Sequence, residues 1–95
     1  MTLSDLKPFR DKILAVGARH GASAVRVFGS FAKGAARPDS DLDLLVSFEH
    51  GRSLLDHAAL VLELESLLGR KVEIASERGL KPRFRERVLA EAVPL

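Results

Sequence analysis

Apolar residues recur at helical spacing from Leu6 through Phe9, Ile13 and Val16 to Gly17, after two hydroxyl residues, Thr2 and Ser4, that can cap a helix. The pattern predicts a first helix, with Pro8 near enough to its start for the missing N–H to cost little. Gly21 interrupts the chain before Ala24-Val25-Arg26-Val27-Phe28, a short β-branched run that predicts a strand. That strand stops at Gly29-Ser30. Phe31 to Ala36 has room for one helical turn before Arg37-Pro38-Asp39-Ser40 enforces a loop. A second strand is predicted over Leu42 to Phe48, ended by His50-Gly51. Ser53 then caps a helix in which Leu54, Leu55, Ala58, Val61, Leu62, Leu64, Leu67 and Leu68 leave a narrow polar face of Asp56, Glu63 and Ser66. So wide an apolar surface is expected to be buried on the sheet. Gly69 suits the helix end, Lys71 to Ala75 predicts a third strand, and Pro82 opens a last amphipathic helix through Glu91. The order helix, strand, strand, helix, strand, helix predicts a small α/β or α+β domain.

Bulk properties narrow this picture. A chain of 95 residues with no internal repeat or linker predicts one domain over residues 1–95. At 46% hydrophobic and 29% charged it has the balance of an ordinary globular protein. A core this small leaves a modest stability margin, which makes a partner protein a natural supplement. The net charge of +2 argues only weakly for nucleic acid. With no cysteine, disulfides and thiolate metal sites are excluded. No apolar run reaches the roughly 20 residues of a membrane span, and the first eleven residues carry charge where a signal peptide would be apolar. The expected location is the cytoplasm, without a membrane.

The chemistry-bearing residues cluster in the middle of the chain. Asp41 and Asp43 stand at i and i+2 on a predicted strand, so both side chains take one face, roughly 6.6 Å apart along the chain. Two carboxylates so placed raise each other's pKa unless a cation lies between them. Mg²⁺ prefers one or two carboxylates completed by substrate phosphates, so the pair suits a phosphoryl-transfer metal site. Gly29-Ser30, at the end of a strand, offers backbone N–H groups and a hydroxyl to an anion, and glycine lets a phosphate approach without a Cβ. Lys33 and Arg37 are within reach as additional cations. Either half of this pattern is common alone, as a turn or as a solvated strand entry. Their combination is much rarer.

Gly29-Ser30-Phe31-Ala32-Lys33-Gly34 followed by Ser40-Asp41-Leu42-Asp43-Leu44-Leu45-Val46 resembles the signature of the DNA polymerase β nucleotidyltransferase superfamily. The length and the downstream sequence, Gly51-Arg52-Ser53-Leu54 through Arg85-Glu86-Arg87-Val88-Leu89, are similar to the minimal nucleotidyltransferase, or MNT-type, antitoxins. The resemblance implies a nucleotidyltransferase fold, a small mixed sheet flanked by helices, and Mg²⁺-dependent use of ATP. It also implies a HEPN-domain toxin as partner in a hetero-oligomer, silenced by transfer of AMP to a tyrosine. By position it gives Gly29 and Ser30, with Lys33 nearby, to the triphosphate, and Asp41 and Asp43 to the metal. Glu73 matches a third carboxylate that completes the metal site and helps deprotonate the attacking hydroxyl. The family's usual residue there is aspartate, and glutamate reaches about 1.5 Å further. That departure leaves an alternative open, a weakly active or inactive binding module that neutralises its partner by occlusion.

Other residues carry less. His20, His50 and His57 share no metal-ligand spacing. Arg83, Arg85 and Arg87 alternate on a predicted helix and so do not form one nucleic-acid-binding face. The leucine-rich stretch from Leu54 to Leu68 reads first as core, with a partner groove as the second possibility.

Overall fold

The computed structural model describes residues 2–95; Met1 lies outside the described residues. The first helical stretch is divided. A 3-10 segment, Leu3–Phe9, is opened by a capping box in which Thr2 caps and the Asp5 carboxylate accepts from the Thr2 N–H at 2.7 Å. The α-helix proper, α1, runs Arg10–Arg19. The single helix expected from the apolar spacing is therefore replaced by two segments, because Pro8 has no N–H to donate and disfavours α geometry in the residue before it. Gly17 is not the stop it resembles in sequence. It is buried in α1, and a Cβ there would sit 3.3 Å from the Ala22 Cβ, so it is a close-packing glycine.

Strand β1 spans Ala22–Phe28, two residues longer than expected, and leads directly into the one-turn helix α2, Gly29–Ala32, which starts and ends earlier than the Phe31 to Ala36 expectation. Strand β2 is Leu42–Phe48, as its apolar run predicts. Helix α3, Leu54–Leu68, begins at the Ser53 cap, with Asp56 returning the bond to the Ser53 N–H at 2.9 Å, and ends at Gly69 in the left-handed conformation, φ +63°. Strand β3, Val72–Ser76, is followed by a 3-10 turn at Glu77–Gly79, helix α4 at Pro82–Glu91 and a two-residue strand β4 at Val93–Pro94. The sheet order is β3-β2-β1-β4. β2 runs parallel to β3, and β1 is antiparallel to both β2 and β4. The mixed sheet is thus as expected, with β4 an addition too short to leave a periodic signal.

One sheet face is apolar. Val25 and Val27 of β1, Leu42, Leu44 and Val46 of β2, and Val72 of β3 pack with Ile13 and Val16 of α1 and Leu60 and Leu64 of α3. By the two-residue alternation of strands, Asp43, Leu45 and Ser47 take the other face. This separation puts the core on one side and the chemistry on the other. Helix α3 corrects the sequence reading: Leu60 and Leu64 are buried, whereas Leu54, Leu55 and Leu62 are 84%, 81% and 68% exposed. At 3.6 residues per turn Leu55 and Leu62 lie roughly opposite the buried pair, with Leu54 at the flank, so the helix has two apolar faces, of which the sheet covers one. His20 caps the end of α1 and lies 3.0 Å from Glu63, which also accepts from Arg19, tying α1 to α3; the His57 ring stacks on Phe48. None of the described helices is long and apolar enough to cross a membrane.

Candidate active site

The chain reverses direction between β1 and β2 through α2 and the loop to Asp41, so the end of one strand meets the beginning of the next. Phe28 stands opposite Asp43 in the β1–β2 register, and Asp43 stands opposite Glu73 in the β2–β3 register. The two strand pairings bring Gly29, Asp43 and Glu73 to the same end of the sheet, with Asp41 two residues before Asp43. Four of the residues singled out in sequence are thereby gathered in one place.

Gly29 is required there for two independent reasons. Its φ of +71° lies in the left-handed region that disfavours side chains, and a Cβ would collide with the Asp43 Oδ2. The backbone after β1 is in effect packed against the carboxylate of β2. Ser30 follows, half-buried, and its hydroxyl makes no hydrogen bond within the described residues, while its carbonyl accepts from Ala35 N at 2.9 Å. A hydroxyl and adjacent turn are thus available beside two acids.

The electrostatics of the acids are unfavourable as they stand. Burial pushes the Asp43 carboxyl up to about 6, helped by the negative charge of Glu73, a hydrogen bond shared with Glu73, and the charge of Asp41. Glu73 itself is exposed on β3 but faces Asp43, so it is no isolated solvated strand residue. Among the described residues no three acids or histidines converge into a preformed metal cage. What converges is a carboxyl–carboxylate pair with a third acid nearby, and that donor set fits a hard divalent ion that takes one or two carboxylates and fills its remaining positions with phosphate and water. Asp41, Asp43 and Glu73 are the residues able to hold such an ion.

The remaining predicted cations are placed differently. Lys33, the first residue after α2, reaches across to α4 and pairs with Glu91 at 3.2 Å, and Arg87 approaches the same carboxylate at 3.5 Å. These contacts hold the Glu91 carboxyl below the usual range, the Lys33 hydrogen bond being the largest cause. Lys33 is therefore adjacent to the Gly29-Ser30 turn but engaged. Arg37 lies in the exposed loop, where its N–H donates to the Ser40 hydroxyl at 2.8 Å. Sequence reasoning passed over Arg70, whose side chain reaches both α2 and the residue before Asp41. Nothing in its local sequence distinguishes it from a solvated arginine between a helix and a strand.

The chain is similar in sequence and fold to known proteins. The nucleotidyltransferase domain model matches residues 10–95. A candidate protein adenylyltransferase of Methanocaldococcus jannaschii is 36% identical over 89 residues, covering 94% of this chain and 96% of its own. The protein adenylyltransferase MntA of Thermococcus cleftensis is 43% identical over 75 residues, 79% of this chain and 76% of its own. A solved structure described as a candidate minimal nucleotidyltransferase superposes with a TM-score of 0.89 at 64% identity, over 100% of this chain and 97% of that one. More distant matches share the fold. A toxin–antitoxin crystal structure with AMP-PNP has a TM-score of 0.78 at 20% identity, over 90% of this chain and 70% of that one. A tri-AMPylated Shewanella oneidensis HEPN toxin in complex with MNT antitoxin gives 0.72 at 17% identity, over 93% of this chain and 69% of that one.

Proposed function

The chain belongs to the nucleotidyltransferase domain family, and from that premise we propose that residues 1–95 act as a protein adenylyltransferase, the antitoxin of a toxin–antitoxin pair. It transfers AMP from ATP to a hydroxyl of a HEPN-type toxin in the cytoplasm. The observation that carries this reading is the junction of Gly29 with Asp43 and Glu73. A turn able to take phosphate is packed against two facing acids, in a chain whose relatives include a protein adenylyltransferase.

In the reaction the acceptor oxygen bonds to the α-phosphorus of ATP, the bond from that phosphorus to the bridging oxygen breaks, and pyrophosphate leaves. The Gly29-Ser30 turn receives the triphosphate, where the absent Cβ permits close approach and the Ser30 hydroxyl donates to a phosphate oxygen. Asp41, Asp43 and Glu73 would hold Mg²⁺, which when bound supplies charge stabilisation to the transferring phosphoryl group. The Glu73 carboxylate takes the proton from the acceptor hydroxyl, a role that its exposure at the rim of the site suits. Lys33 reaches the phosphates once it leaves Glu91. These 95 residues contain no tyrosine, so a tyrosine acceptor lies outside them. The exposed Leu54, Leu55 and Leu62 face gives such a partner an apolar surface to dock on.

Calorimetry with ATP tests the nucleotide site. Binding should require Mg²⁺ and be lost or greatly weakened in a folded Asp41→Asn, Asp43→Asn double variant. Equal affinity with and without Mg²⁺, or an unaffected double variant, removes the metal site from this reading.

A further inference from the structure

Asp41 is the one site acid that precedes its strand, so its direction depends on what fixes the loop leading into β2. That loop is tied to the core at Ala36, which is 7% exposed. Within it, Ser40 N donates to the Arg37 carbonyl at 3.0 Å and Arg37 N to the Ser40 hydroxyl at 2.8 Å, a local turn that sets its shape but does not anchor it to the sheet. Its far end, next to Asp41, is held by two consecutive residues between α3 and β3. The Arg70 Nη1 donates to the Ser40 carbonyl at 2.7 Å, and the Lys71 carbonyl accepts from Leu42 N at 3.0 Å. The peptide groups on both sides of Asp41 are thus held by neighbouring residues of one segment. Arg70 does more than this. Its guanidinium lies 5.0 Å from the centroid of the Phe31 ring, which is 1% exposed and belongs to α2, two residues after Gly29.

We propose that Arg70 is a positioning residue that locks the Gly29-Ser30 turn to Asp41, setting the spacing between the phosphate turn and the metal-holding acids. This rests on the nucleotidyltransferase reading of those residues. A charge-assisted, half-buried hydrogen bond is short and directional, and a planar guanidinium can stack on a ring while donating in its own plane. Lysine has a point charge and no such plane, so it reproduces part of the contact. Outer contacts that orient metal ligands typically influence metal affinity by about 10- to 100-fold.

The test compares wild type with Arg70→Met, which keeps an apolar stem over Phe31 but removes the donor, and with Arg70→Lys. Amide exchange in the metal-free protein should be faster at Ser40 and Leu42 by about tenfold or more in Arg70→Met, while the β1 core amides stay protected. The Mg²⁺ concentration that half-saturates ATP binding should rise about tenfold, with Arg70→Lys intermediate. The Mg²⁺ effect should vanish when both proteins also carry Asp41→Asn. Unchanged exchange at Ser40 and Leu42, or a Mg²⁺ effect that persists without Asp41, overturns the assignment. If Arg70→Met does not fold, Arg70→Lys alone must show both shifts in reduced measure, and a wild-type profile overturns it. ATP binding by wild type that ignores Mg²⁺ would instead defeat the proposed function, while the exchange comparison still decides whether Arg70 holds the loop.

Discussion

Replacing Asp43 with asparagine should stabilise the metal-free protein at neutral pH while removing its function. The Asp43 carboxyl is pushed from 3.8 to about 6 by burial and by the facing Glu73, so its charged form is less welcome in the folded chain than in the unfolded one. This acid's relative contribution to stability is therefore fully present below about pH 4 and is lost as pH rises through about 6. A rise of that size corresponds to about 3 kcal/mol at full effect. The side chain is only partly buried, and solvent screening reduces this to about 1–2 kcal/mol. An asparagine in its place would have the same shape under Gly29, carry no charge at any pH, and offer its amide to Glu73. Asp43→Asn should therefore match wild type near pH 4 and exceed it by about 1–2 kcal/mol at pH 8, or about 4–16 °C in melting temperature for a domain of this size. Thermal unfolding of both proteins between pH 4 and 8 measures this, and the other acids cancel in the difference. Mg²⁺ should raise the wild-type melting temperature at pH 8 and leave the variant nearly unmoved. A variant no more stable than wild type at pH 8, or a gap independent of pH, would refute the crowding of acids on which the metal site is argued.

Glu73→Gln keeps the size of the side chain and removes its proton-accepting ability, so AMP transfer should fall about a hundred- to ten-thousand-fold in a rate assay while Mg²⁺-ATP binding survives. Gly29→Ala forces a side chain into left-handed backbone and against Asp43, and should cost about 1–3 kcal/mol in urea unfolding and abolish nucleotide binding by calorimetry. Glu91→Gln releases Lys33 from its pair and should lower the KM for ATP by a few-fold at low salt, an effect that salt reduces. Leu62→Lys on the exposed face of α3 should melt within a few degrees of wild type yet fail to co-elute with the proposed toxin partner on size-exclusion chromatography, since a surface change costs a lone domain about 0.5 kcal/mol or less.

The elements that position the site were legible because their signals are local. Alternation at Val25 and Val27 and the apolar run from Leu42 mark the two central strands, and Ser53 with Gly69 marks both ends of α3. Gly29 and Asp43 could be paired only by motif. Their contact arises from antiparallel register between strands, which no window of sequence contains. The same limit hid Arg70, whose partners Ser40 and Phe31 are thirty or more residues away. It also hid Glu91, whose contact with Lys33 depends on α4 folding back towards α2. Composition misled at α3: counting leucines gives the breadth of an apolar surface, whereas the orientation of the helix decides that Leu60 is buried and Leu62 exposed. The first helix departs from its apolar spacing for a local reason, the missing N–H of Pro8, which converts its opening into a 3-10 segment.

The proposed activity is the transfer of AMP onto a partner protein. Intact-mass spectrometry of the chain incubated with the product of the adjacent reading frame as the proposed toxin, ATP and Mg²⁺ tests this most directly, with the Asp41→Asn, Asp43→Asn variant as control. The expected result is one or more AMP groups added to the toxin, none on this chain, and none with the variant. An unmodified toxin that is nonetheless bound and inhibited would contradict the claim and leave occlusion as the means of neutralisation.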